Sequence, residues 1–117
     1  MAIPSGSGSE ILTSNFVQAV SNSWITILTG VNLHIYTIVS VVFSNMTANA
    51  EQIRFKRVDS DGSSNEHWLM EYGDIPAYGT FVWNYKFVIT GDKKLVVMTS
   101  SAADIDVVCS FIDQDWT

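Results

Sequence analysis

Apolar and polar residues alternate at a spacing of two along most of this chain, and that period restricts its fold more than any other feature. Residues 51–58 show it clearly: Ile53 and Phe55 fall on one side, and Arg54 and Lys56 fall on the other. Side chains of a β-strand point alternately to opposite faces. The segment is therefore predicted as a strand with one apolar face and one wet or charge-paired face.

Other apolar stretches are rich in β-branched and aromatic residues, which favour strands. Residues 34–43 (HIYTIVSVVF) predict a central strand buried on both faces, or buried on one face and covered by a neighbouring subunit on the other. Turn residues cluster at 59–65, 73–79, 90–93 and 100–103. About eight short strands without a helix predict an all-β fold, an antiparallel β-sandwich of jelly-roll or immunoglobulin-like type.

One strand candidate carries a stripe of four aromatic rings: Phe81, Trp83, Tyr85 and Phe87. At a spacing of two, all four rings share one face unless a bend at Asn84 divides the run. Such a stripe is most often part of a core.

Length and composition predict one ordered domain that makes extensive contacts. The chain has 117 residues, of which 47% are hydrophobic and only 15% are charged, against about 25% charged in an average soluble protein. We therefore expect partners to cover part of the surface, in a homo-oligomer or a larger assembly. Residues 1–20 are predicted as an extended N-terminal arm with a first extended segment, and residues 21–117 as the sandwich.

Charge and the character of the N-terminus narrow the classes of partner. A net charge of −6 would repel a nucleic acid backbone. The apolar runs are too short for a membrane span. The first ten residues lack the basic and apolar regions of a signal peptide, so we expect cytoplasmic synthesis.

No residue pattern indicates catalysis or a cofactor. His34 and His67 lie in separate strands without metal-ligand spacing, and the 59–65 turn lacks the glycine and glutamate positions of an EF-hand. Cys109, the single cysteine, is predicted as an inert buried thiol. We predict a protein that is not an enzyme and needs no metal or cofactor.

The candidate interaction residues come from the arm, the tryptophans and a basic strand face. The small, flexible arm suits a strap across a neighbour, with a disordered terminus as the alternative. Arg54 and Lys56 could pair with acidic surface on a partner, or form a solvated face. The tryptophans could instead form a sugar-binding platform. The predicted interface residues are Met1, Ala2, Ile3, Pro4, Ile11, Phe16, Trp24, Arg54, Lys56, Tyr78 and Trp116.

Four segments carry a family resemblance: MAIPSGSGSE, HIYTIVSVVFSNMTANAEQIRF, DIPAYGTFVWNYKFVITGDKKLVV and SSAADIDVVCSFID. Together they resemble small β-sandwich virion proteins of tailed bacteriophages. The shared plan is a strand, "SN" with small residues, a second strand, an "IPA-G" turn, an aromatic strand, a "GDK-L" turn and a final strand. It covers roughly residues 20–113, and more loosely the arm. This chain is richer in aromatic residues than the more Ala/Val-rich proteins that it resembles.

This resemblance implies a structural protein of the virion without an active site. Capsid decoration, or cement, proteins of the group bind the lattice of the major capsid protein, and a homotrimer is the expected oligomer. A tail adaptor or a tail-fibre module that touches host glycans is the alternative. Both readings place the protein in the virion. Nucleic acid and membrane are not expected as partners, because of the net charge and the short apolar runs.

Overall fold

The computed structural model describes residues 9–59, 65–99 and 104–116. These residues form nine strands and no helix, in line with the period of two. The strands are β1 (Ser9–Val20), β2 (Ile25–Thr29), β3 (His34–Asn45), β4 (Glu51–Asp59), β5 (His67–Ile75), β6 (Thr80–Trp83), β7 (Phe87–Thr90), β8 (Lys93–Thr99) and β9 (Ile105–Asp115). No helix in these ranges is long and apolar enough to cross a membrane.

The strands form two antiparallel sheets, which confirms the predicted β-sandwich. The five-stranded sheet has the order β1-β9-β3, followed by β6 and β7, which both pair with β3; the four-stranded sheet has the order β2-β8-β4-β5. Apart from the β4-β5 hairpin and the β6-β7 step, successive strands alternate between the sheets. This is the strand order of a jelly roll rather than an immunoglobulin-like fold, and β6 and β7 together take the place of one strand.

The core lies between the sheets and consists of inward residues of both. From β9 it takes Ile105, Val107, Cys109 and Phe111, so the predicted burial of Cys109 is confirmed. Phe55 of β4 lies at the centre of an aromatic group, with its ring 5.9 Å from Phe43, 6.0 Å from Trp83 and 6.3 Å from Phe87. Aromatic pairs at such separations add to the free energy of burial.

The predicted aromatic stripe is divided at Asn84, the position at which a bend would separate the rings. Residues 84–86 separate β6 from β7, and the two short strands pair with different halves of β3. Phe81, Trp83 and Phe87 pack against the core, whereas Tyr85 is exposed. Three of the four rings therefore lie on the inner face.

The turn at 90–93 is present, and the region predicted as a turn at 73–79 is shorter than expected. Strand β5 continues through Gly73 and Asp74 to Ile75, because Glu51, Gln52 and Ile53 of β4 pair with this segment. The chain then reverses through Pro76 and Gly79, whose amide donates a 2.8 Å hydrogen bond to the Pro76 carbonyl. Residues 60–64 of the turn predicted at 59–65 and the turn predicted at 100–103 lie outside the described residues.

Asn45 ties this reversal to the end of β3. The side chain is 2% exposed. Its amide nitrogen donates to the carbonyl oxygens of Asn49 at 2.8 Å and Pro76 at 3.2 Å, and its Oδ1 accepts a hydrogen bond from the Thr47 amide at 2.9 Å. Since a buried amide needs such partners, the role of Asn45 is structural.

Candidate interaction surfaces

The outer face of the five-stranded sheet brings together apolar residues from distant parts of the sequence. The register places Phe16 opposite Val108, Val108 opposite Val42, and Val42 opposite Val82. Residues directly opposite each other in neighbouring strands lie on the same face. These four side chains therefore form one row across β1, β9, β3 and β6.

A second row runs parallel to the first across β1, β9, β3 and β7. Leu12 is opposite Ile112, Ile112 is opposite Thr37, and Thr37 is opposite Val88. Between the rows lie Ser14, Ser110 and Ser40. From usual strand spacings, the surface measures about 14 Å across the strands and about 13 Å between the rows. We call it the apolar face; its members are Leu12, Phe16, Thr37, Val42, Val82, Val88, Val108 and Ile112.

The apolar face is solvent-accessible and carries no charged side chain in its rows. Leu12 is 71% exposed and Phe16 is 68% exposed. At one end Asp106 lies opposite Ser44, and at the other Gln114 donates a 2.8 Å hydrogen bond to Glu10. Lys86 lies in the β6-β7 connection, at the edge far from β1. Large contiguous apolar patches on a folded protein mark interaction sites more often than chance.

The outer face of the four-stranded sheet is covered by the chain's own side chains. The rings of Trp24 and Trp68 meet edge to face, with centroids 5.6 Å apart and planes at 61°. The Lys56 ammonium lies 4.1 Å from the Trp24 centroid, and the Arg54 guanidinium lies 4.8 Å from the Trp68 centroid. Both distances are within the range of cation–π attraction.

An ion pair completes this group. The Nζ of Lys56 donates to Oε1 of Glu66 at 2.5 Å, and Lys56 is only 5% exposed. Its stem also packs beside Val96, the residue opposite it in β8, which is buried too. We call Trp24, Arg54, Lys56, Glu66 and Trp68 the tryptophan cluster. Within the cluster the ammonium of Lys56 is paired with Glu66, as a buried cation requires.

The predicted interface residues are distributed over several regions. Met1, Ala2, Ile3 and Pro4 lie outside the described residues. Phe16 belongs to the apolar face, whereas Ile11 is exposed on the opposite side of β1, where it pairs with Asp113. Tyr78 is exposed in the reversal after β5, with a positive φ of 54°. Trp116 is half-buried after β9.

The remaining three predicted interface residues belong to the tryptophan cluster. Trp24 and Arg54 are partly exposed there, but Lys56 is enclosed by the chain itself, because the two indole rings and Glu66 cover it. The indole planes are steeply inclined and their neighbours are cations. They therefore do not form a flat joint platform for a sugar ring.

Most of the apolar face was missed from sequence, although one signal was visible. The run of residues 34–43 has apolar side chains on both faces. This pattern is compatible with a strand whose outer face is covered by a neighbouring subunit. Val42 meets this description, since it lies on the outer face opposite Val108. Val82, Val88 and Val108 belong to three different strands, so only strand pairing reveals that they share one face.

The two histidines and Asp59 make hydrogen bonds or ion pairs with neighbouring strands and turns. Nδ1 of His34 lies 2.7 Å from Oδ1 of Asp113, and Nδ1 of His67 lies 3.2 Å from a guanidinium nitrogen of Arg57. Asp59 contacts Lys93 and Asn65. Burial raises the pKa of the Cys109 thiol to about 12, so the nucleophilic thiolate is strongly disfavoured at neutral pH.

No protein-family model matches the chain, and no curated protein matches it either. Solved structures do resemble it. A chain of the Bacillus endospore appendages, a family of disulfide-linked pili, superimposes with a TM-score of 0.56 at 11% identity, over 100% of this chain and 97% of that one.

Two viral structures are also similar. A chain of infectious bursal disease virus, Gx strain, gives a TM-score of 0.57 at 11% identity; the match covers 92% of this chain but 32% of the viral one. A chain from the acid-stable capsid of the Helicobacter pylori bacteriophage KHP30 gives 0.50 at 11% identity, with 95% of each chain covered. At such identities the likeness shows the fold alone: this sandwich is one that capsids and pili also contain.

Proposed function

We propose that this chain is a non-enzymatic structural protein of a bacteriophage virion, a capsid decoration protein that binds the major capsid protein through the apolar face. The apolar face is the observation that carries the proposal. It is wide, uncharged and exposed, whereas on the opposite side of the sandwich the tryptophan cluster folds over Lys56. The likeness to a bacteriophage capsid chain, together with the resemblance in turns and strands, supports a place in the virion.

Such a protein would act by mass action. A decoration protein that binds the assembled lattice, but not free capsid subunits, shifts the equilibrium toward the intact shell. Because many copies bind a repeating lattice, weak individual contacts suffice. Burying the apolar face would supply the free energy of each contact, at roughly 25 cal/mol per Å² of apolar surface.

Particles assembled with and without this chain provide the test. We expect the chain in many copies per particle, located by cryo-electron microscopy on the outer capsid surface, and a lower temperature of shell disruption in its absence. Absence of the chain from purified particles, or its location in the tail, would reject the decoration role.

Paired variants test whether the apolar face makes the contact. Val108→Asp and Val82→Asp each place a carboxylate in the first row and should reduce occupancy on capsids at least about tenfold, because an unpaired charge would be desolvated on binding. Thr29→Asp adds the same charge to an exposed residue of β2 in the other sheet and should leave occupancy unchanged. Equal loss in all three variants would show that net charge, not this face, controls binding.

A further inference from the structure

Strand β1 presents an open edge with few of the features that prevent strand pairing. It lies at the end of the five-stranded sheet, pairs with β9 on one side, and has no partner strand among the described residues on the other. Natural edge strands are usually short or carry lysine, proline or bulges. β1 is 12 residues long, has Glu10 as its one charged residue, and pairs regularly with β9 from Ser9 to Val17.

The side chains of β1 are self-complementary in one antiparallel register. Leu12, Ser14 and Phe16 share the outer face, with Ser14 midway between the two apolar residues. A two-fold axis through Ser14, perpendicular to the sheet, places Leu12 of each copy opposite Phe16 of the other. We propose that two copies of this chain pair antiparallel through β1 in this register, with the Ser14 residues facing each other.

Packing favours this register over its neighbours, and charge is compatible with it. It places Glu10 opposite Gln18, so no like charges oppose each other although each chain carries a net charge of −6. It also forms two aromatic–aliphatic cross-strand pairs, the kind of contact that stabilises sheets. Sliding by two residues would place Leu12 opposite Ser14 or opposite Gln18 and lose both pairs. A slide of one residue would turn inward side chains outward.

This pairing would also extend the apolar face. The row that ends at Phe16 in one copy continues into the row that begins at Leu12 in the other, so one apolar band would cross both five-stranded sheets. The assembly is a two-fold pair, in place of the homotrimer expected from sequence. The inference depends on the free edge of β1 and not on the proposed capsid role.

Cysteine cross-linking tests the register directly. Under mild oxidation, Ser14→Cys should form a covalent dimer, because directly opposed residues have Cα atoms about 4.5–5.5 Å apart. Ser110→Cys is the control, because residue 110 lies one strand further from the axis and its Cα atoms in the two copies would be about 15 Å apart. This variant should remain monomeric on a denaturing gel. Native Cys109 is buried and adds little background. Cross-linking of Ser110→Cys as efficiently as Ser14→Cys would indicate stacked faces and overturn the proposal.

Charge variants provide an independent measurement by sedimentation equilibrium of the full chain. Leu12→Glu or Phe16→Lys alone should raise the dimer dissociation constant about tenfold or more, since each pair occurs twice. The double variant places opposite charges across the two-fold axis and should recover much of the affinity in a salt-sensitive manner. The same residues are four apart within one chain, too distant to pair with each other.

Val88→Lys is the matched control for the charge variants, because Val88 is an exposed valine of the same face at the edge far from β1. Its dissociation constant should match that of the wild type. Far-ultraviolet circular dichroism verifies the fold of each variant. If a charged variant does not fold, the cross-linking of Ser14→Cys decides whether the proposed register is correct. A monomer at all concentrations, a trimer, or loss of association in Val88→Lys would each overturn the pairing.

Discussion

On the outer face of the four-stranded sheet, two indole rings lie over two cations, and Lys56 is 5% exposed. On the outer face of the five-stranded sheet, two rows of uncharged side chains have nothing from the described chain above them, and Phe16 is 68% exposed. Long side chains of the first face fold back onto their own sheet, whereas Val, Ile and Thr of the second are too short to cover anything. Residues of the first face should therefore contribute to folding stability, and those of the second to association.

Truncation of Trp68 should have the largest effect. Trp68→Ala removes the ring over Arg54 and exposes Lys56, so we expect the free energy of unfolding to fall by about 2 kcal/mol. Val82→Ala on the apolar face should change it by less than about 0.5 kcal/mol. Urea denaturation followed by circular dichroism measures both. Equal losses would erase the distinction between the faces.

Lys56 variants separate packing from charge in the tryptophan cluster. Lys56→Ala should cost about 1.5 kcal/mol of unfolding free energy, because the stem beneath the indoles and the bond to Glu66 are both lost. Lys56→Met keeps an apolar stem of similar shape and should recover more than half of this loss in the same urea experiment. If Met is as destabilising as Ala, the charge rather than the packing closes this face.

Cys109 lies on the inner side of the five-stranded sheet, so the pH dependence of stability tests whether that side, unlike the outer side, is shielded from solvent. Its pKa is raised by burial to about 12, from an ordinary value of 9.0. The unfolded thiol therefore ionises first, and stability that is fully present below pH 9 declines as the pH rises toward 12. At pH 10 the wild type should have lost about 1 kcal/mol more than Cys109→Ala, each compared with its own value at pH 8. Parallel pH profiles would show that the thiol is not desolvated.

The smallest expected effect on stability is on the apolar face itself. Val82→Lys should change the free energy of unfolding by less than about 0.5 kcal/mol, because the residue is 53% exposed. It should nevertheless reduce the binding of a fluorescent apolar dye to the native protein. Thr29→Lys, at an exposed residue of β2 in the other sheet, is the control and should leave dye binding unchanged. Strong destabilisation by Val82→Lys would mean that this face is already covered within the chain.

Local alternation was sufficient to predict the strands and their inner faces. The positions of β3 and β4 and the inward Cys109 follow from β-forming residues whose side chains point to opposite faces in turn. The division of the aromatic stripe near Asn84 does not follow from this alternation, which by itself places all four rings on one face. The extension of β5 to Ile75 did not follow, because Gly73 and Asp74 are turn residues by preference and enter the strand only through pairing with β4.

The two outer surfaces were decided by tertiary structure. Val82 and Phe16 are far apart in sequence, and they share a row because β9 and β3 lie between β1 and β6. Lys56 is buried because Trp24, from before β2, and Trp68, from β5, reach over the strands between them. The sequence specifies which side of its own strand each residue occupies, but which strands become neighbours depends on non-local pairing, and local preference contains no record of it.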